Sequence, residues 1–324
     1  MASTKRKFAR HLGEAARQAL AACRTYPTAH VLLNPLTRPL AMQVAHSDWR
    51  ATLKQIDFPY TIEDATIGGV ACARYRTLRT ESSNPLILYL HAGAFVSGSP
   101  RVNAAAVLPA CELSGCEAIG VDYTLAPNAV YPTQLEQIER VYRALIEQGR
   151  SPSSIVVMGD SAGGTLALAS VARWRAAGLP APAGLITLSA VTDCAGDSDT
   201  HLTLAHHDPI FGGHALEGVH AVVGLYAPGV DRRDPGISPL YGDYAGGPPM
   251  LIHVGSRDVL LGDSARLAER ARRAGVDVSL RVFDGMFHLF HMHWSLEDAR
   301  AAFEDIAHFI ARNAKHERRA GAAA

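Results

Sequence analysis

A mainly parallel α/β sheet, covered by helices on both faces, is the fold this sequence predicts, and three observations carry it. Short apolar runs such as Pro85–Leu90, Ala118–Val121, Ile155–Met158 and Met250–Val254 have strand length without alternation, as strands buried on both faces require. Segments with apolar residues at helical spacing lie between them. Polar residues capable of chemistry follow directly on the apolar runs, at what would be the carboxyl rim of such a sheet. The chain has 324 residues, 48% of them hydrophobic, so it can bury one large core and needs no second domain to account for its length.

Taken in order, Phe8, Leu12, Ala15, Ala16, Ala19, Leu20 and Cys23 recur at helical spacing and predict an amphipathic helix ending before Tyr26-Pro27. Pro35 and Pro39 argue against long regular structure until about Asp48. Strands around Tyr60–Ile67 and Val70–Leu78 meet at Gly68-Gly69, a hairpin signature. Pro85–Leu90 opens into His91-Ala92-Gly93-Ala94-Phe95, and Ala118–Val121 ends at Asp122-Tyr123. Pro132 suits the first turn of a helix that buries Leu135, Ile138, Tyr142, Leu145 and Ile146 and stops at Gly149. Glu136–Arg140 and Glu139–Arg143 are i,i+4 pairs on its wet face.

Ile155–Met158 predicts a strand, Gly159 a turn, and the small residues after Ser161 a helix. Leu185–Leu188 and Met250–Val254 are further strands. Between them Asp193 to Gly247, rich in Gly, Pro and His, breaks the alternation and reads as an inserted lid. Leu260–Ala274 predicts a helix closed by Gly275, and Val276, Val278, Leu280 and Val282 alternate as a strand does. Ser295 with Asp298 resembles a capping box for a last helix burying Leu296, Ala299, Phe303, Ile306 and Ile310. The tail from Lys315 is charged, then alanine-rich, and is expected to fray.

Composition excludes several classes. With 31 basic and 31 acidic residues, nothing selects a nucleic acid or an anionic membrane as partner. No apolar run reaches spanning length without Pro or Gly, so no membrane anchor is expected. Five cysteines, an odd number, do not form a secreted disulfide framework; Cys111 and Cys116 read as core thiols in a reducing, cytoplasmic compartment. Met1–Arg24 lacks the apolar block of a secretory signal; its Arg-bearing amphipathic pattern also suits a transit peptide, but a docked surface helix is the preferred reading.

The chemistry centres on Gly159-Asp160-Ser161-Ala162-Gly163. Gly-x-Ser-x-Gly between strand and helix is a nucleophile elbow, a strained turn that lifts one hydroxyl above the sheet. Serine needs a base, best a histidine, and the base needs a carboxylate to fix its tautomer. In the order Ser, acid, His, the candidates are Asp258, after the Met250–Val254 strand, and His288, in Asp284-Gly285-Met286-Phe287-His288. Asp263 and Asp284 compete with Asp258, and His291 and His293 with His288. Asp263 lies inside a helical pattern, Asp284-Gly285 is a turn pair, and His288 comes first after the strand end. Amides of Gly93, Ala94 and Ala162 are the candidate oxyanion donors.

His91-Ala92-Gly93-Ala94-Phe95-Val96-Ser97-Gly98 resembles the HGGGF-x-x-G loop of the hormone-sensitive-lipase-like (bacterial family IV) esterases. Asp122-Tyr123-x-Leu125-Ala126-Pro127 with Tyr131-Pro132 is similar to that family's DYRLAPE…FP segment, and Gly159–Gly164 to its GDSAGG elbow. Asp258-Val259-Leu260 and Gly285-Met286-Phe287-His288-Leu289-Phe290 resemble its acid and histidine motifs. The likeness runs from about residue 55 to 312 through five ordered motifs.

The resemblance implies an α/β-hydrolase fold with an eight-stranded sheet. It also implies cofactor-free hydrolysis of small carboxylic esters with Ser161, Asp258 and His288 as triad. A cap is expected from residues 1–50 and an insertion at about 194–230 over a catalytic domain of residues 51–324. Members of the family often dimerise through the last strand edge, which here would be Val278 to Phe283. Ala92 and Ala94 depart from the family glycines, so the Ala94 methyl is expected to narrow the oxyanion loop; Thr124 and Asn128 are further departures. Phe95, Phe211, Met286, Phe287, Leu289 and Phe290 are candidates for an apolar pocket, or for plain core packing. His206-His207-Asp208, His214 and His220 lack metal-site spacing, so no metal is expected. Rivals to a short-chain esterase are a lactonase, amidase or arylformamidase on the same triad, and a non-catalytic binder.

Overall fold

A computed structural model describes residues 13–22, 31, 33–211 and 213–316. Phe8, Leu12 and Cys23 of the first expected helix lie outside the described residues; its remainder is α1 (Glu14–Ala22). The next helix corrects the sequence reading: α2 runs Arg38–Leu53, straight through the segment that two prolines were expected to disorder. Pro39 falls in the first turn, where its missing N–H has no intrahelical acceptor to lose.

The antiparallel hairpin β1 (Tyr60–Ile67) and β2 (Val70–Thr77) turns at Gly68 and Gly69, both at positive φ (58° and 71°). Then come β3 (Leu86–Leu90), α3 (Leu108–Ser114), β4 (Glu117–Val121), α4 (Thr133–Glu147), β5 (Ile155–Asp160), α5 (Ala162–Ala176) and β6 (Gly184–Leu188). The insertion carries α6 (Thr200–Thr203) and α7 (Ala215–Tyr226); β7 (Met250–Gly255), α8 (Leu261–Arg273), β8 (Val278–Phe283) and α9 (Glu297–Asn313) complete the chain.

The eight strands form one sheet in the order β1-β2-β4-β3-β5-β6-β7-β8, with only the β1–β2 and β2–β4 pairs antiparallel. Alternation along each central strand sends side chains to two cores. Leu86, Leu88, Leu90, Ile155 and Val157 meet Leu135, Ile138, Leu166 and Trp174 of α4 and α5. Ile87, Tyr89, Val156, Met158 and Ile186 meet Cys111 of α3 and Phe303, Ile306 and Ile310 of α9. Every residue of β3 is buried, which is why the run shows no polar alternation.

Three local expectations change. Val141 is buried on α4 and Ile146 only half-buried, because the helix presents its Val141–Leu145 face to α5, where Tyr142 stacks on Trp174 at 3.9 Å. Ser295 does not cap α9: its hydroxyl bonds Gln55 Oε1 (3.0 Å), and the helix starts at Glu297 with no side-chain cap. The last strand begins at Val278, leaving Val276 in the turn after Gly275. Lys315 is tied by its N–H to the Ser153 carbonyl (2.8 Å); residues 317–324 lie outside the described chain.

Candidate active site

Between the end of β5 and the start of α5, Ser161 stands alone at φ 51°, ψ −118°, a conformation that L residues avoid unless their surroundings impose it. Its N–H donates to the Leu188 carbonyl of β6 (2.9 Å) and its carbonyl accepts from Gly164 (3.0 Å). A Cβ on Gly159 would strike the Gly163 carbonyl, and one on Gly163 the carbonyls of Leu90 and His91, so strand and helix cross where only glycine fits. Ala162 opens α5, so its N–H lacks an intrahelical acceptor and sits at the positive helix end.

His288 Nε2 lies 3.0 Å from Ser161 Oγ, and its Nδ1 lies 3.2 and 3.3 Å from the two Asp258 oxygens. All three residues are buried. They sit on the turns after β5, β7 and β8, along the carboxyl rim of the sheet with only β6 between the first and second. The last two turns are stitched together. Ser256 Oγ donates to Asp284 (3.0 Å) and accepts from the Gly285 N–H (2.7 Å), while Arg257 N–H donates to the Met286 carbonyl (2.9 Å). Burial pushes the His288 imidazole down, but the facing Asp258 carboxylate, with Asp208 and Asp160 behind it, leaves its pKa above the ordinary value.

The competing residues are engaged elsewhere. Asp284 holds Ser256; Asp263 accepts from the Thr192 and Asp193 N–H groups and faces His201 Nε2 at 2.8 Å. His291 is stacked on buried His253, and burial keeps it well below the usual imidazole range. His293 lines the main cavity beside Phe287, with burial holding it down to about 4.

The loop after β3 carries Gly93 (φ 134°), Ala94 (φ 52°) and Phe95 (φ 64°), which line the same cavities as Ser161. Its curl is closed by the Gly93 carbonyl, which accepts from the N–H groups of Val96 and Ser97. Ala94 is thus an alanine in a left-handed conformation that glycine would adopt without steric cost.

Two cavities meet at Ser161. The larger, about 640 Å³, runs between His288, Leu289, Phe211 and the inner face of α2 around Ala45, Trp49 and Thr52. The smaller, about 50 Å³, is enclosed by Ala94, Phe95, Val191, Phe211, Val219 and Val222. Of the expected pocket residues, Phe95, Phe211 and Leu289 line these spaces. Met286 and Phe287 do not: they pack beneath the rim with Phe283, Phe290, Leu296 and Ala299, because the turn that presents His288 points its preceding residues into the core. Phe290 belongs to the same packing.

Sequence reasoning missed the α2 wall and two buried acids. Asp160 takes a hydrogen bond from the Tyr89 hydroxyl (2.9 Å), and burial raises it to about 7. Asp208, also raised to about 7 by burial and then by the Asp258 charge, accepts from the Ile210 (2.9 Å) and Val259 (3.3 Å) N–H groups. Among the described residues, Asp208, Asp258 and His288 are the one group whose ligand-type atoms all lie within 4.8 Å. Those atoms face one another and backbone amides, an arrangement of proton partners rather than an open coordination sphere. The only sequence signal for Asp208 was its place in a histidine-rich run.

A family model described as the alpha/beta hydrolase fold matches residues 87–292. The chain is 34% identical over 294 residues to an esterase of Acinetobacter venetianus, covering 88% of this chain and 95% of that one. It is 32% identical to an acetyl-hydrolase of Streptomyces hygroscopicus, covering 76% and 81%. Among solved structures, an esterase from the bacterial hormone-sensitive lipase family superposes with a TM-score of 0.83 at 28% identity, over 93% of this chain and 99% of that one. A hormone-sensitive lipase from a metagenome library gives 0.77 at 34%, over 83% and 92%.

Proposed function

Because the chain belongs to the hormone-sensitive-lipase-like esterases of the α/β-hydrolase fold, enzymes that hydrolyse small carboxylic esters, we propose that Ser161, His288 and Asp258 are its catalytic triad. The observation that carries the assignment is the relay from Ser161 Oγ to His288 Nε2 (3.0 Å) and from His288 Nδ1 to Asp258 (3.2 Å). Ser161 attacks the ester carbonyl as His288 takes its proton. Amides of Gly93, Ala94 and Ala162 receive the oxyanion. His288 then returns the proton to the leaving alcohol, and water, deprotonated by the same imidazole, releases the acid. No cofactor enters these steps.

Which cavity takes which half of the ester follows from the proton. The alcohol must leave beside His288, and His288 lines the large cavity and not the small one. The acyl group therefore enters the recess of about 50 Å³, room for an acetyl and little more. This supports a short-chain esterase. The α2 helix and the insertion roof the site as a cap over the sheet, and the open edge of β8 is the surface for a homodimer. Free, buried Cys72, Cys111, Cys116 and Cys194 fit a reducing cytoplasm, and no helix among the described residues is long and apolar enough to cross a membrane.

A fluorescent organophosphonate is expected to label one residue per chain, Ser161, and Ser161→Ala to lower kcat by about 10⁶ without changing the melting temperature appreciably. An unlabelled Ser161, or near-normal turnover in the variant, would sink the assignment.

A further inference from the structure

The insertion reaches into the rim at one point. From His207 to Phe211 it passes over the turn that carries Asp258, bonding the residues on either side of Asp258 and setting Phe211 against His288. Arg257 Nε donates to the His207 carbonyl (3.3 Å) and the Val259 N–H to Asp208 Oδ2 (3.3 Å), so the residues on either side of Asp258 are both held by the insertion. The Ile210 N–H closes on Asp208 Oδ1 (2.9 Å), and the Phe211 ring stands edge-on to the His288 imidazole with centroids 4.9 Å apart. Asp208 is 1% exposed, as inaccessible as Asp258 itself.

We propose that Asp208 is a positioning residue of the esterase: it clamps the Asp258 turn and sets a second carboxylate against the imidazolium that forms during each turnover. The inference rests on the triad reading above and extends it to a residue of the insertion. A buried acid with only two amide partners is costly to keep unless its charge is used. Here the use is electrostatic, since a carboxylate within 4.8 Å of the imidazole favours its protonated form. The groups facing this pair are Asp258 and Arg257 from the turn after β7, His288 and His291 from the turn after β8, and Asp160 from the end of β5. Arg257 offsets part of the Asp208 charge; Asp160, like Asp208, supports the imidazolium.

Asp208 and His288 therefore titrate together, and the acid limb of kcat/KM belongs to the group rather than to His288 alone. Above about pH 7 the imidazole faces a charged Asp208; below it the carboxyl takes up a proton and that support is lost.

The test is kcat/KM for p-nitrophenyl acetate against pH, for the full chain and for Asp208→Asn and Asp208→Glu. Asp208→Asn is expected to lower the plateau about three- to tenfold, mainly in kcat. It should also move the acid limb about half a unit or more toward lower pH and reduce it to a single-proton curve. Asp208→Glu, which keeps the charge, should restore the limb. A profile for Asp208→Asn that superimposes on the parent after scaling, with only the melting temperature lowered, would overturn the proposal and leave Ser161 labelling untouched. If Asp208→Asn does not fold, the ¹⁵N titration of His288 in the unaltered chain decides: two steps are expected, and a single step overturns it.

Discussion

His46 Nε2 accepts a hydrogen bond from the Gly98 N–H across 2.9 Å, joining α2 to the loop that carries Gly93 and Ala94. The bond needs a ring lone pair, and burial, with Arg50 adding to it, keeps the imidazole below its ordinary pKa and so uncharged. The roof of the cavity is thereby fastened to the proposed oxyanion donors.

Cutting that fastening should be felt in catalysis. His46→Ala is expected to lower kcat/KM for short esters about three- to tenfold, the worth of one net hydrogen bond, while organophosphonate labelling still goes to completion. Unchanged kcat/KM would show that the oxyanion loop holds its shape without α2.

The acid limb of kcat/KM should lie above the ordinary imidazole value of about 6.5, because burial, the largest single influence on His288, is outweighed by Asp258, Asp208 and Asp160 together. Activity falls as the pH drops through the limb, since an imidazolium cannot accept the serine proton. Asp258→Asn should cost about 10³–10⁴ in kcat by freeing the wrong tautomer. A native limb well below 6.5 would contradict the electrostatics described for the site.

The small recess should decide the acyl series. Acetate esters are expected to outrun butyrate and hexanoate esters of the same alcohol. Val222→Ala, which trims a wall of that recess, should raise the butyrate-to-acetate ratio of kcat/KM about tenfold. A parent enzyme that prefers long acyl chains would place the acid half in the larger cavity instead.

Asp160 should make stability fall with rising pH. Its carboxyl, held up to about 7 by burial, keeps a proton in the folded chain that the unfolded chain releases near 3.9. Its contribution is present below the unfolded value and is lost as the pH rises through about 7. Asp160→Asn retains the Tyr89 contact without that loss. Measured by urea unfolding, the variant should gain on the parent by at least about 1 kcal/mol between pH 5 and pH 8. A difference independent of pH would mean that Asp160 is charged in the fold throughout.

What could be read beforehand divides by how local its cause is. The Ser161 elbow was legible because strand, glycines and helix start are contiguous, and the Gly68-Gly69 hairpin for the same reason. The α2 helix was hidden by Pro39, whose effect depends on whether it falls in a first turn or an interior one. Met286 and Phe287 read as pocket or core alike, because a motif fixes their order but not the direction in which the turn points them. Asp208 was illegible because its meaning comes from Val259 and Asp258, some fifty positions away and joined only in the folded chain.

The glycine crossing of β5 and α5 has a consequence for how this enzyme can vary. At Gly159 and Gly163 main chain touches main chain, so there is no volume in which a larger residue could be tried and later refined. Val222, Phe211 and Trp49 line open cavity space, where a methylene can be added or removed at modest cost. Inherited change in substrate choice is therefore channelled into the roof, and descendants of this chain can exchange one ester for another while the proton-transfer apparatus stays as it is.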